Sequence, residues 1–139
     1  MFLDASAIVA VLSAEAGWEE FALRLNANES GLYISPLVRF ETIQALARKH
    51  SGPSAKPSAE IIDGASRILD ALIGRLQIEE VPVSAQIGAL AVEASGRYGK
   101  IVGHPAALNF GDCFAYACAK ALGVPLLYKG NDFAVTDLA

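Results

Sequence analysis

The sequence predicts an α/β fold, a three-layer α/β/α sandwich around a mainly parallel sheet. Three observations carry this. Short apolar runs recur along the chain, and the first three are each followed by a longer segment with helical spacing. Several of those helical segments open on Ser, the residue type that caps helix N-termini. Hydrophobic residues make up 53% of the chain and charged ones 19%, enough apolar surface to cover both faces of a sheet. At 139 residues, one domain spanning 1–139 is the natural organisation.

Met1 to Leu3 reads as a first strand ending at Asp4, with Ser6 as N-cap of a helix through Ala14. Gly17 interrupts, and Trp18 to Asn26 resumes helical spacing through Trp18, Phe21, Ala22 and Leu25. Gly31–Ser35 reads as the second strand. Ser35 followed by Pro36 gives an N-cap and a proline at the first helical position, starting a helix to about Lys49. The stretch His50–Glu60 is rich in Pro, Ser and Gly but too short for an interdomain linker. Ser58 caps a helix over Ala59 to Leu72, Gln77–Val83 forms the third strand, and Ser84 starts a helix toward Tyr98. A basic loop, Gly96–Gly111, precedes a helix to Leu122. Val124 to Tyr128 forms the last strand, and Gly130-Asn131-Asp132 has turn chemistry.

A net charge of −4 argues against a broad basic footprint for nucleic acid, but not against an enzyme that handles phosphates through bound cations. The two cysteines, Cys113 and Cys118, lie more than a turn apart on one helix and do not face each other. They read as small buried thiols in a reduced cytoplasm. No basic n-region precedes the apolar N-terminus, and the longest uncharged apolar run, Val81 to Val92, contains Pro82. That run is far short of the ~20 residues a membrane helix needs. The expectation is a cytoplasmic protein without leader or membrane span.

The chemistry-bearing residues are acids in otherwise uncharged surroundings. Asp4 follows the first strand and Asp132 the last, so both can reach the carboxyl ends of a parallel sheet, where ligands bind. Glu41 sits within an apolar helical stripe, and Asp112 opens a helix with no other acid. Each has a simpler role open to it. Asp4 can cap the amides that follow, Glu41 can pair with Arg39 or Arg48, and Asp112 can favour a helix N-terminus. Together, four carboxylates in a partly dry cleft repel one another unless cations neutralise them. Hard oxygen ligands suit Mg²⁺ or Mn²⁺, and the chemistry such a site performs best is phosphodiester hydrolysis by activated water. His50 and His104 lack partners at metal-ligand spacing, and His104 beside Pro105 reads as loop packing. No phosphate-binding Gly-rich loop, dinucleotide fingerprint or nucleophile elbow is present.

The segments "MFLDASAIVAVL", the Glu of "RFETIQAL" and "HPAALNFGDCFAYACAKALGVPLLYKGNDFAVTDL" resemble the PIN-domain family, and within it the VapC toxins of bacterial toxin–antitoxin pairs. The resemblance covers essentially the whole chain. It implies an α/β/α sandwich with an acidic pocket for Mg²⁺ or Mn²⁺. It further implies an endoribonuclease that cuts cellular RNA, often tRNA or ribosomal RNA, held inactive by a VapB-like antitoxin. Homodimers are typical, and such complexes bind their own promoter through the antitoxin.

Carried over by motif, the pocket acids are Asp4, Glu41, Asp112 and Asp132, with Asp137 as a further metal-ligand candidate. Ser6 matches a hydroxyl that accompanies the first acid, and Asn131 stands where some relatives have an acid. Arg97, Lys100 and Lys129 are candidates to contact RNA phosphates; a plain solvated role is open to each. Trp18, Phe21, Leu25 and the "LVRFETIQALA" helix offer apolar area for the core or for an antitoxin segment. Two other readings stay open. One is a non-catalytic module whose acidic pocket docks an arginine of a basic partner. The other is a phosphatase, which would want a second Asp where "DAS" places Ser6.

Overall fold

The computed structural model describes residues 1–138. Its elements follow the chain as β1 (Phe2–Leu3), α1 (Ala5–Leu12), α2 (Trp18–Asn26), β2 (Tyr33–Ile34), α3 (Pro36–Ser51), α4 (Ala59–Leu76), β3 (Glu79–Glu80), α5 (Ala85–Tyr98), a 3₁₀ turn (Lys100–Val102), α6 (Phe110–Leu122) and β4 (Leu126–Leu127). The strands pair in the order β3-β2-β1-β4, and every pairing is parallel. Helices flank this sheet, giving the expected α/β architecture.

The strands are shorter than the apolar runs that announce them, for backbone reasons. Gly31 and Gln77 adopt positive φ (+88° and +53°), which halts pairing at the entries of β2 and β3. Pro82 has no N–H to extend β3. Single hydrogen bonds lengthen the ladder beyond the strands: Phe2 N–H donates to the Pro125 carbonyl at 2.8 Å, and Val81 N–H to that of Ile34 at 2.8 Å.

Ser35, Ser58 and Ser84 cap α3, α4 and α5, each accepting from the amide three residues on. Three boundaries differ from the sequence expectation. Asp4, not Ser6, caps α1 and accepts from the Ser6 N–H. α4 continues past Leu72 to Leu76, because Gly74 is tolerated inside it and the left-handed Gln77 ends it. α6 begins at Phe110 under an Asn109 cap, where Asn109 and Asp112 form a reciprocal capping box.

The core gathers the fully buried Phe2, Leu3, Ile8, Ile34, Leu69, Leu127 and Phe133. Each such side chain stabilises the fold by roughly 1.5–3 kcal/mol through burial. Cys113 and Cys118 are buried and unbonded. His104 accepts from the Ala106 N–H through Nδ1 and packs edge-on against Tyr98 at 5.2 Å, as its loop position suggests. Among the described residues no helix is long and apolar enough to cross a membrane.

Candidate active site

From β1 the chain steps to β2 and β3 on one side of the sheet, then returns to place β4 on the other. Strand order therefore reverses at β1, and the crevice beyond the carboxyl ends of β1 and β4 is the topological switch point, where ligands bind in open parallel sheets. Asp4 lies at that point, one residue past β1. Its N–H donates to the Leu127 carbonyl of β4 at 2.9 Å.

A cavity of about 560 Å³ opens there, and Asp4, Glu41 and Asp112 all line it. β1 presents the first acid, the second turn of α3 the next, and the first turn of α6 the last. Asp4 is 6% exposed. Its Oδ2 accepts from the Ser6 N–H at 2.9 Å and from the Ser6 hydroxyl, and Ser6 Oγ in turn accepts from the Lys129 N–H at 2.9 Å. Ser6 thus ties the first acid to the segment after β4. Glu41 reaches against the backbone of Gly111. A side-chain carbon at Gly111 would stand 2.6 Å from the Glu41 carboxyl carbon, so the glycine is what admits the acid.

Burial is the main force on these groups. It pushes the Asp112 carboxyl up to about 6, with Asp4 and Asp132 adding repulsion against the bond from the Asn109 N–H. It raises Glu41, with repulsion from Asp4 and Asp112 as the lesser cause. It raises Asp4 too, although the Ser6 bonds oppose this. Asp132 is exposed and lies within the field of Asp4 and Asp112. Four acids far apart in sequence therefore share one electrostatic site at the rim of the sheet.

Other sequence candidates fall elsewhere. Asp137 is a correction: its carboxylate accepts from the Tyr116 hydroxyl at 2.8 Å and pairs with Lys120 at 2.8 Å. Tyr116 and Lys120 follow Asp112 by one and two turns of α6, so Asp137 is held along the helix, away from the cavity lining. The Lys120 ammonium beside it lowers its pKa, the reverse of the pocket acids. Asn131 is exposed, and its carbonyl accepts from the Ala134 N–H within a turn.

Of the three cation candidates, Lys129 lines the acidic cavity. Arg97 stacks on Tyr98 at 4.9 Å, and Lys100 lines a separate apolar groove with Val92, Ile101 and Phe114. Arg39, a possible local partner for Glu41, instead pairs with Asp70 and Glu80, each at 2.5 Å. Phe21 and Leu25 of α2 join the core, and Leu25 is 3% exposed.

Sequence reasoning missed several lining residues. Glu15 bridges Lys49 and Lys129, both at 2.6 Å. Nothing local signals it, because its partners lie 34 and 114 residues away by number. Phe40, Gln44 and Arg48 also line the cavity. Their spacing of four along α3 was legible, but not the direction in which that stripe faces.

Among the described residues no three acidic, histidine or cysteine side chains stand close enough to cage a metal ion by themselves. The carboxylates border a shared space instead of forming a closed shell. That arrangement suits a hard cation that keeps several of its waters, and an all-oxygen donor set disfavours soft metals. The residues present fit a hydrated Mg²⁺ or Mn²⁺.

The PIN-domain family model matches residues 1–138. A VapC ribonuclease of Rhizobium meliloti is 47% identical over 139 residues, covering 99% of this chain and 98% of that protein. Among solved structures, Mycobacterium tuberculosis VapC20, a Sarcin-Ricin loop cleaving toxin, superposes with a TM-score of 0.73 at 17% identity, over 99% of this chain and 95% of that one. VapBC2 from Rickettsia felis, bound to a DNA fragment from its promoter, gives 0.67 at 16% identity, over 96% and 89%.

Proposed function

Because the chain belongs to the PIN-domain family, we propose that it is a divalent-metal-dependent endoribonuclease of the VapC type, a toxin restrained by a VapB-like antitoxin. The observation that carries the reading is the convergence of Asp4, Glu41 and Asp112 on one cavity at the switch point, with Asp132 in their field. A closely similar relative named as a VapC ribonuclease supports the substrate class.

Asp4, Glu41 and Asp112 hold the ion, directly or through water, and Asp132 supports it from the rim. When bound, Mg²⁺ or Mn²⁺ neutralises these acids, activates water for attack on the scissile phosphodiester and stabilises the developing charge. Ser6 fixes the orientation of Asp4 through two bonds to one oxygen. Glu15 holds the Lys129 ammonium at the cavity wall, where it meets a phosphate that the acids alone would repel. Burial raises all three acids, so the pocket favours protonation when empty of cations and full ionisation when a cation is present.

A VapB-like antitoxin is the partner this reading implies, and a homodimer the assembly. The test replaces Asp4 with Asn and compares cleavage of total RNA with Mg²⁺ and with chelator. Loss of cleavage in the folded variant and in chelator is expected; cleavage that survives either one overturns the mechanism. Expression of this chain alone should arrest growth, and co-expression of a cognate antitoxin should restore it.

A further inference from the structure

One wall of the acidic cavity is a stripe of α3 that the mechanism above does not use. Phe40, Gln44 and Arg48 recur every four residues, so they rise one above another on a single helix face. All three line the same cavity as Asp4, Glu41 and Asp112. Their chemistry runs in order: an aromatic ring, a primary amide, a guanidinium. Phe40 is 63% exposed although it is aromatic and sits beside buried acids. Arg48, unlike Lys49 next to it, has no ion-pair partner among the described residues.

Resting on the nuclease reading for its substrate, we propose that this stripe is the subsite for an unpaired nucleotide flanking the scissile phosphate. The Phe40 ring stacks one base, the Gln44 amide contacts that base's edge, and Arg48 holds the next backbone phosphate. Base stacking on an exposed aromatic needs a splayed-out, single-stranded base, because bases inside an A-form duplex cannot be reached this way. A guanidinium without a carboxylate partner is available for a phosphate at no cost of breaking an existing pair. Lys129, held by Glu15, lies on the same cavity, so cationic groups flank the acids and give a strand a path across them. The enzyme would therefore select loops and single strands over duplex RNA.

The test measures binding, so it does not depend on cleavage. In an Asp112→Asn background with Mg²⁺, the probe is a fluorescein-labelled single-stranded oligoribonucleotide, compared with its fully paired duplex and with a copy carrying one abasic position. The parent should prefer the single strand. Phe40→Ala should weaken single-strand binding on the order of 10- to 100-fold and should erase the difference between the intact and the best-placed abasic probe. Arg48→Ala should lower the slope of log affinity against log salt by about one phosphate. Circular dichroism confirms folding, which an exposed site should not disturb.

The proposal falls if Phe40→Ala binds the intact probe as tightly as the parent, or if it weakens intact and abasic probes equally. It also falls if the variant leaves RNA binding unchanged and weakens only the complex with a co-expressed antitoxin, which would make the stripe a protein-docking face. Absence of cleavage in the parent with base-selective binding preserved would sink the nuclease reading and leave the subsite standing.

Discussion

Replacing Asp112 with Asn should remove activity and stabilise the metal-free protein, two effects that pull in opposite directions. The Asp112 carboxyl is pushed from its ordinary 3.8 up to about 6, mainly by burial. Each pKa unit between folded and unfolded states is worth about 1.4 kcal/mol, so the displacement corresponds to about 3 kcal/mol at face value. The side chain is only partly buried, and solvent screening reduces this to ~1–2 kcal/mol. The direction follows from the raised pKa. A carboxyl that holds its proton more tightly when folded stabilises the fold below about pH 4 and loses that contribution as pH rises through about 6.

Asn keeps the side-chain oxygen that accepts from the Asn109 N–H, so the capping box survives. In chelator at pH 8, Asp112→Asn should melt about 3–8 °C above the parent, and the gap should narrow as pH falls from 7 to 5. Adding Mg²⁺ should raise the parent's melting temperature by mass action and leave the variant nearly unmoved. Thermal melts by circular dichroism across pH, with and without Mg²⁺, measure all three. A variant no more stable than the parent in chelator at pH 8, or a gap that does not narrow by pH 5, would refute the reasoning.

Gly111→Ala should displace the Glu41 carboxylate, which occupies the space a methyl would take. Because a misplacement of ~1 Å can cost ~100-fold in rate, cleavage should fall 10- to 100-fold with little loss of stability, as a cleavage assay beside a melt would report. Asp137→Asn should leave cleavage within about threefold of the parent and lower stability by about 1 kcal/mol, since Asp137 serves Tyr116 and Lys120 and not the cavity. Loss of cleavage in that variant would return Asp137 to the site. Phe133→Ala should cost about 3–5 kcal/mol in denaturant unfolding, because the ring is 1% exposed and packs on Tyr128 at 4.9 Å.

Much of this protein is written locally. Alternating apolar runs and capped helical segments specify a parallel α/β sheet, because strand pairing and helix amphipathicity are read from spacing a few residues long. The Ser-capped starts of α3, α4 and α5 follow from side chains bonding amides three residues on. The acids Asp4, Glu41 and Asp112 stand out because a charge in an apolar neighbourhood is costly without a purpose. Local rules also mislead where two residues compete. Asp4 took the cap that Ser6 seemed suited for, since the acid accepts from Ser6 through both amide and hydroxyl.

What tertiary structure alone decided are the directions and the long-range partners. Spacing places Asp137 near the acids by number, but the fold lays it beside α6 on Tyr116 and Lys120. No spacing rule links Glu15 to Lys49 and Lys129, or brings Gly111 under Glu41. Those meetings depend on the strand order reversing at β1, which carries the ends of β1 and β4 and the starts of α3 and α6 to one crevice. Sequence sets what each segment is; packing across the sheet sets which side chains meet, because that depends on contacts between residues tens of positions apart.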